Sequence, residues 1–400
     1  MIDDNEAIAR ILGSTVCSGN QEVDLLNARG RYLLDDVRAV LAFPGFDQSV
    51  MDGYALCAED QQKYGEKLRI SGVNAAGSGK PGALGTGEAM RIYTGAPLPA
   101  GADSVVMQED AEVEGNTLVI KEKARPGDYI RRRGEVVCAG QMIAESGQKL
   151  NPANLGLIAS QGIDRISVAS WPRVVLITTG DELVPIVSKE LKFGQVFNSN
   201  SAMLEASLRH LGVPDVEICH VGDELQSTLD AIRSAIQRAD VVLISGGLSV
   251  GDRDYVKPCL EQCGVEVQFW RVRVKPGKPF LYAAFGEGGQ LFGLPGNPVS
   301  ALITFLIFVL PSLQLRLGAS PDRVGLPSLQ ARSLDPIHNT GNRPHYVMGI
   351  YDHQGGFRAM PGQFSQNILA LGQANALARI DAHCSIQGGE TLDVRILWGE

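Results

Sequence analysis

A glycine-rich stretch with two carboxylates, SGGLSVGDRDY at residues 245–255, has the composition of a loop that binds a phosphorylated ligand. It follows an apolar run at 240–244, which predicts a buried strand, and precedes helical composition at 256–263. Between a strand and a helix, unpaired backbone N–H groups can hold an anion. Glycines let that backbone approach a ligand because no Cβ intervenes. An ordinary tight turn from strand to helix remains the alternative.

The predicted cradle combines small residues with acidic ones. Its ligand-binding members are Ser245, Gly246, Gly247, Ser249, Gly251 and Asp252. Asp254 places a second carboxylate beside them. A glycine cradle next to carboxylates suggests a phosphorylated ligand together with a divalent metal.

Acidic residues also follow two other predicted strands. Asp181 and Glu182 come after the strand at 174–178, and Asp223 comes after the strand at 216–221. Each acid alone is explained equally well as a helix N-cap. Three acidic loops at one sheet edge would repel one another unless a cation lay among them, and magnesium prefers such oxygen ligands. These loops therefore predict a magnesium site, whose candidate ligands include Glu182, Asp223 and Asp254.

Two proline-containing segments offer binding groups for an oxyanion. Lys275 and Lys278 lie in KPGKP, where prolines stiffen the chain, and paired ammonium groups suit a phosphate. GLPGNP at 293–298 leads into an apolar helix whose first amides are available, with Pro298 near its first turn. A solvated turn and a plain helix start are the alternatives.

Composition narrows the class of protein. The 400 residues carry a formal net charge of −9, which argues against nucleic-acid binding because such binding needs basic residues. The seven cysteines are scattered without zinc spacing, and the acidic start MIDD is unlike a signal peptide, so a cytoplasmic location is expected. The most apolar run, 299–310, is shorter than a membrane span and predicts a buried helix.

The order of predicted elements indicates how these groups are positioned. From 43 to 149, short strands alternate with turns, which is typical of a small all-β unit. From 174 to 244, strands alternate with helices, which predicts a parallel sheet with ligands at the carboxyl ends of its strands. After residue 321 the helices stop, and five short strands predict a C-terminal β domain.

These motifs together resemble the molybdopterin molybdenumtransferases, the family that includes the gephyrin E domain. The motifs that carry the resemblance, in family order, are FDQSVMDGYA, TGAPLPAGADSVVMQED, RPGDYIRRRGE, TTGDEL, GQVFNSNS, SGGLSVGDRDY, VKPGKPF and GLPGNPVSA. The resemblance covers residues 3–400 and is weakest after 322. It implies a magnesium-dependent transferase that takes adenylylated molybdopterin and molybdate, releases AMP and leaves molybdenum on the dithiolene.

The resemblance also assigns residues. It implies functional polar side chains at Asp52, Thr94, Glu182, Asp223 and Asp254. It further implies that Lys275 and Lys278 hold phosphate or molybdate, that Pro295 and Pro298 shape the pocket, and that Ser365 and Arg132 contribute to binding.

The expected fold is α/β plus β, an elongated multidomain chain with a molybdopterin-binding α/β domain. The predicted domains are a discontinuous linking α+β domain (20–42 and 141–168), a small all-β domain (43–140), the α/β domain (1–19 and 169–322) and a C-terminal β domain (323–400). The resemblance implies a homodimer that shares its cleft between subunits, and a molybdopterin adenylyltransferase as a partner.

One position departs from the family pattern. After the arginine run the family reads Gly-Glu-Asp, whereas this chain has Gly134, Glu135 and Val136. Valine can neither bind metal nor accept a proton, so a carboxylate is missing. Either Glu135 or another acid substitutes for it, or the enzyme is slower, or this copy has a changed role. Two alternatives to insertion stay open: adenylylation of molybdopterin, which a related single α/β domain performs, and a non-catalytic scaffold that keeps the cofactor pocket, which Val136 favours.

Overall fold

The computed structural model describes residues 1–248 and 254–397. The chain divides into two units. The first contains Met1–Asp35, Ser146–Pro152 and the described chain from Arg165 onward, and the second contains Asp36–Glu145 and Ala153–Asp164. The multidomain α/β plus β class is as predicted. The finer division into four domains stays a prediction.

The first unit is built around a six-stranded sheet. Its strands, in spatial order, are Val216–Val221, Val174–Thr179, Val241–Ser245, Gly289–Leu294, Leu281–Phe285 and Glu266–Trp270. The first four are mutually parallel, which confirms the parallel sheet predicted from the strand–helix alternation. Their carboxyl ends therefore meet at one edge, where the glycine and acidic loops emerge.

The last two strands of this sheet run antiparallel to their neighbours, which the sequence pattern did not predict. Leu281–Phe285 and Gly289–Leu294 are joined by only three residues. A parallel crossover needs a dozen or more residues, so this short connection can form only a hairpin.

Helices cover both faces of the sheet because the buried strands are apolar on both sides. The longer ones bury their leucines and isoleucines against it, as the 3.6-residue spacing predicts. The helices of this unit are Asp4–Gly13, Ser199–Leu211, Leu225–Arg238, Val256–Gln262, Pro298–Thr304, Leu310–Arg316 and Ile368–Gln373, with a π-helical turn at Phe305–Val309.

The apolar segment predicted as a buried helix is buried. Pro298–Arg316 is long and apolar enough to cross a membrane, with a mean hydropathy of 1.9, but 83% of it lies inside the protein. Such burial is typical of a core helix in a globular fold.

The C-terminal part of this unit is a closed five-stranded barrel, close to the strands predicted. The expectation that helices stop after residue 321 is wrong, because Ile368–Gln373, capped by Asn367, is helical. Its strands, in spatial order, are Ser328–Ser333, Gly356–Ala359, His345–Tyr351, Ala376–Ile380 and Thr391–Ile396. The barrel contacts the KPGKP segment through the backbone: Lys275 N donates to the Pro344 carbonyl and Tyr346 N donates to the Lys275 carbonyl, both at 2.8 Å. The barrel therefore fixes the path of this segment.

His345 is a buried base at this junction. Burial lowers its pKa to about 4, with the charges of Lys275 and Arg343 adding to the shift. The unfolded chain takes up this proton near pH 6.5, so protonation favours unfolding as the pH falls from that value towards 4. Wild type should therefore lose about 2 kcal/mol more stability than His345→Gln between pH 7 and about pH 4.5.

Denaturant titrations of both proteins at the two pH values measure this difference. The substitution His345→Gln can itself change the free energy of unfolding at pH 7. Only the change in this free energy between the two pH values measures the protonation of His345. Equal pH dependence in the two proteins would contradict the assignment.

The second unit is a six-stranded mixed sheet, as the short strands between 43 and 149 predicted. Its strands, in spatial order, are Ser104–Met107, Gly53–Leu56, Glu88–Ile92, Lys67–Asn74, Thr117–Ile120 and Ala111–Glu114. A seven-residue helix, Ala58–Tyr64, interrupts what the sequence suggested was all-β. Gly53 is required because a Cβ there would lie 1.9 Å from the Val106 carbonyl oxygen of the neighbouring strand.

Candidate functional site

A cavity of about 680 Å³ opens at the carboxyl ends of the parallel strands in the first unit. This volume is within the usual range for a small-molecule site. Residues from the ends of four strands and the starts of two helices line it. They include Thr179, Glu182, Asn198, Asn200, Asp223, Ser245, Gly246, Gly247, Asp254, Pro279, Pro295, Gly296, Asn297 and Pro298.

The glycine turn reaches the cavity in a conformation that other residues avoid. Gly246 and Gly247 have φ values of 105° and 65°. A Cβ on Gly246 would lie 2.5 Å from Thr179 Oγ1 and 2.8 Å from the Thr179 carbonyl oxygen. Glycine is therefore needed both for the turn and for its close packing on the neighbouring strand.

Two helices begin at this cavity. Asn198 caps Ser199–Leu211 by accepting from Ser201 N at 3.0 Å, and Pro298 starts the other helix at a position that suits proline. Helix N-termini present unpaired N–H groups and a partial positive charge. The cavity wall therefore favours an anionic ligand.

Three predicted carboxylates share this cavity: Glu182, Asp223 and Asp254. Asp223 is held by its neighbour in the other acidic loop, since Asp223 N donates to Asp181 Oδ1 at 3.0 Å. The three do not form a ready-made metal cage, because residues 1–248 and 254–397 contain no cluster of three ligands that could hold an ion. Magnesium usually takes one or two carboxylates plus substrate phosphates, so this oxygen-only donor set still fits it.

The predicted lysines lie off the cavity wall. Lys275 and Lys278 are both exposed, and of their segment only Pro279 lines the cavity. Contacts with distant segments hold the loop: the barrel bonds the Lys275 backbone, and Gly277 packs so closely on Thr304 that a Cβ would lie 2.2 Å from its Cγ2. Neither lysine lines this cavity, and their role in binding phosphate or molybdate stays a prediction.

Ser365 lies beside the cavity although it belongs to the C-terminal part of the chain. Its Oγ accepts from Asn297 Nδ2 at 3.1 Å, and its carbonyl accepts from Val299 N at 3.2 Å. Ser365 thus supports the loop that contains Pro295 and Pro298, both of which line the cavity as predicted. Three other predicted cradle residues, Ser249, Gly251 and Asp252, lie outside the described residues.

The second unit holds Asp52 and Thr94 as a bonded pair. Thr94 donates both its backbone N–H and its hydroxyl to Asp52 Oδ1, each at 2.8 Å. These two hydrogen bonds lower the pKa of Asp52 below its usual value. Asp52 is therefore a carboxylate at neutral pH, with Oδ2 outside this pair.

Arg132 is engaged in the second unit by a different acid. Its guanidinium donates to Asp47 Oδ2 at 2.7 Å, and Arg133 N donates to Asp47 Oδ1 at 2.8 Å. The Arg133 N–H and the Arg132 guanidinium lower the pKa of Asp47. Arg132 therefore has an ion-pair partner that the sequence did not suggest.

Val136 follows this arginine run on the surface, where it is 51% exposed. Its neighbour Glu135 accepts from Arg132 N at 2.8 Å through Oε2. That oxygen closes the local turn, so Glu135 is held in place by its own loop. The position that lacks the family aspartate is thus open to solvent.

Sequence reasoning missed the asparagines of this site. Asn198 and Asn200, in GQVFNSNS, line the cavity, as does Asn297 of GLPGNP. Asn200 donates to Ser245 Oγ at 2.9 Å and to the Gly296 carbonyl at 2.7 Å. The available signal was two asparagines at a helix start, with Asn198 at the capping position and Asn200 in the first turn.

The fold and this cavity define a class of protein, and family comparisons agree. Residues 175–315, which contain the central sheet, match the family described as "Probable molybdopterin binding domain". Residues 2–162 match "MoeA N-terminal region (domain I and II)", and residues 330–397 match "MoeA C-terminal region (domain IV)". The three matches follow one another along the chain in the order expected of a molybdenum cofactor biosynthesis protein.

Relatives and solved structures extend this agreement to the whole chain. It is 35% identical to a molybdopterin molybdenumtransferase of Nostoc sp., over 89% of this chain and 84% of that protein. It is 34% identical to molybdopterin molybdenumtransferase 2 of Mycobacterium tuberculosis, over 90% of each. A molybdopterin biosynthesis moeA protein of Pyrococcus horikoshii superposes with a TM-score of 0.86 at 26% identity, over 99% of this chain and all of that one. The chain belongs to the molybdopterin molybdenumtransferase family.

Proposed function

We propose that this protein inserts molybdenum into adenylylated molybdopterin and releases AMP. The observation that carries the proposal is the cavity itself. A glycine turn, two helix N-termini and three carboxylates converge at the carboxyl ends of parallel strands in a chain of this family. Such a wall suits a ligand with a pyrophosphate, because backbone N–H groups bind the phosphate oxygens without adding a counter-charge.

The proposed roles follow from position. The turn at Gly246 and Gly247 and the amides of the two helix starts bind the substrate phosphates. They also stabilise the negative charge that develops on the AMP phosphate as the phosphoanhydride bond breaks. Glu182, Asp223 and Asp254 supply oxygen ligands, and bound magnesium would neutralise part of the phosphate charge. Asp52, as a carboxylate held by Thr94, is proposed to act in the same reaction.

Molybdate, a tetrahedral dianion, is proposed as the second substrate. It requires cationic or N–H donors. Lys275 and Lys278 remain candidates for this role if the substrate extends beyond the cavity wall, since both are exposed on the segment that ends at Pro279. Arg132 is a further candidate in the second unit.

We also propose a homodimer in the cytoplasm with an active site shared between subunits. The family resemblance and the placement of Asp52 and Asp254 in different units support the shared site. A molybdopterin adenylyltransferase is the proposed partner, since it would supply the substrate.

A single-turnover assay tests the function. Purified protein is mixed with adenylylated molybdopterin and molybdate, with and without magnesium, and AMP is measured. Insertion predicts AMP release that depends on molybdate and magnesium. An adenylyltransferase would instead consume ATP and unmodified molybdopterin, and a scaffold would bind the substrate without releasing AMP.

Val136 allows a direct test of the missing carboxylate. Val136→Asp restores the family residue at an exposed position, so the fold should tolerate it. If the lost group limits the rate, turnover should rise, because an acid–base or water-orienting group contributes about 10²–10⁴-fold. The matched control is Val136→Asn, which has the same shape without the charge. An unchanged rate in Val136→Asp would show that this carboxylate is not needed here.

A further inference from the structure

The Asn200 carboxamide bridges the two loops at the base of the cavity. Its Nδ2 donates to Ser245 Oγ at 2.9 Å and to the Gly296 carbonyl at 2.7 Å. Ser245 leads into the glycine turn, and Gly296 belongs to the GLPGNP loop. Asn200 is only 8% exposed, so water competes little for these bonds.

This bridge begins where the sheet stops. The strands Val241–Ser245 and Gly289–Leu294 pair up to Ser245 and Leu294, and Gly246 N adds one more bond to the Leu294 carbonyl at 3.1 Å. The loops then continue into the cavity wall. Asn200, from the first turn of the helix Ser199–Leu211, bonds Gly296 and so extends the connection two residues beyond Leu294.

The oxygen of the Asn200 carboxamide shows that this orientation costs free energy of folding. Asn200 Oδ1 is buried and has no hydrogen-bond partner in the described chain. Rotating the amide would place Oδ1 against the Gly296 carbonyl oxygen, and two acceptors repel. A buried polar atom without a partner costs about 1–3 kcal/mol. An apolar residue of the same size would avoid this cost but would give up the two Nδ2 bonds, so the two effects on stability oppose each other and the net stabilisation from asparagine is small.

We propose that Asn200 is a positioning residue that sets the spacing between the glycine turn and the GLPGNP loop. Correct spacing aims the backbone N–H groups of both loops at the substrate phosphates before the substrate arrives. The catalytic consequence rests on the proposed function. The spacing itself is a property of the fold and can be measured without substrate.

The test compares Asn200→Leu with a matched control in the barrel, Asn375→Leu. The Asn375 carboxamide also makes two hydrogen bonds. Its Nδ2 donates to the Tyr351 carbonyl at 3.0 Å, and its Oδ1 accepts from Tyr351 N at 2.7 Å. Its oxygen is therefore paired, unlike that of Asn200. Asn200→Leu should lower kcat/KM for AMP release about 10- to 100-fold. Its Tm should fall less than that of Asn375→Leu, because removal of the unpaired oxygen partly offsets the loss of the two Nδ2 bonds. Asn375→Leu should lower Tm and leave kcat/KM of the folded protein unchanged.

Hydrogen exchange gives a readout independent of activity. Amides in peptides covering 244–248 and 294–298 should exchange about threefold faster or more in Asn200→Leu than in wild type, because local opening becomes easier. Asn375→Leu should leave these peptides unchanged. Asn200→Ser, which removes the bridge without adding bulk, should reproduce the effect if the leucine variant folds poorly.

The outcomes separate the two proposals. Wild-type exchange in both Asn200 variants overturns the positioning role, whatever their activity. Faster exchange with wild-type kcat/KM overturns it as well, since the spacing would then not matter to the reaction. If wild type itself releases no AMP but the exchange difference is present, the proposed function fails while the structural bridge stands.

Discussion

Replacing Asp254 by Asn, or Glu182 by Ala, should reduce magnesium-dependent AMP release to background while the protein remains folded. Both residues line the cavity. Removing either takes away an oxygen ligand and a charge where the substrate phosphates and magnesium are proposed to meet. Loss of one such group costs about 10²–10³-fold or more in rate.

Removing one of several like charges relieves repulsion, so neither substitution should destabilise the protein without substrate. AMP release with increasing magnesium measures activity, and thermal unfolding by circular dichroism measures the fold. Glu261→Gln is the matched control, because this acid is exposed on the helix that follows Asp254 and pairs only loosely with Lys257, at 3.9 Å. Full activity in Asp254→Asn or Glu182→Ala, or unfolding of either, would count against the proposed roles.

Mixing two inactive variants should restore activity if the active site is shared between subunits. Asp52→Asn and Asp254→Asn are expected to be inactive separately. In a mixed dimer with shared sites, one cleft collects both substitutions and the other has neither. Random pairing makes about half of the dimers mixed, so about a quarter of all clefts should be intact.

The experiment co-refolds the two variants in equal amounts and measures AMP release per cleft. Subunit exchange is verified with differently tagged chains, and each variant refolded alone sets the background. If each chain builds its own site, every cleft retains one substitution and the mixture stays inactive. Absence of recovery despite proven exchange would rule out the shared site.

Much of this architecture could be predicted from the sequence, because burial leaves a strong local pattern. The strands Val174–Thr179 and Val241–Ser245 are buried on both faces, and their continuous apolar runs predicted this. Among the barrel strands, Ser328–Ser333 and Thr391–Ile396 alternate between more exposed and more buried residues, a local pattern typical of a half-buried strand. The glycine turn was also predictable, because its glycines are visible in the sequence. The structure shows why they are needed: Gly246 has a positive φ, and Thr179 approaches it so closely that a side chain would not fit.

The tertiary structure decided the features that depend on contacts between distant segments. No local signal showed that Lys275 and Lys278 would lie off the cavity wall, since the path of their loop depends on backbone bonds to a barrel about 70 residues further along the chain. The same holds for Arg132, whose partner Asp47 lies 85 residues away. Asn200 has the sequence signature of an ordinary residue at a helix start, and only its bonds to Ser245 and Gly296 distinguish it.

The sequence by itself determined which segments form buried strands and turns, because those depend on neighbouring residues. Only the folded chain determined which polar groups meet, because hydrogen bonds between distant residues leave no periodic pattern.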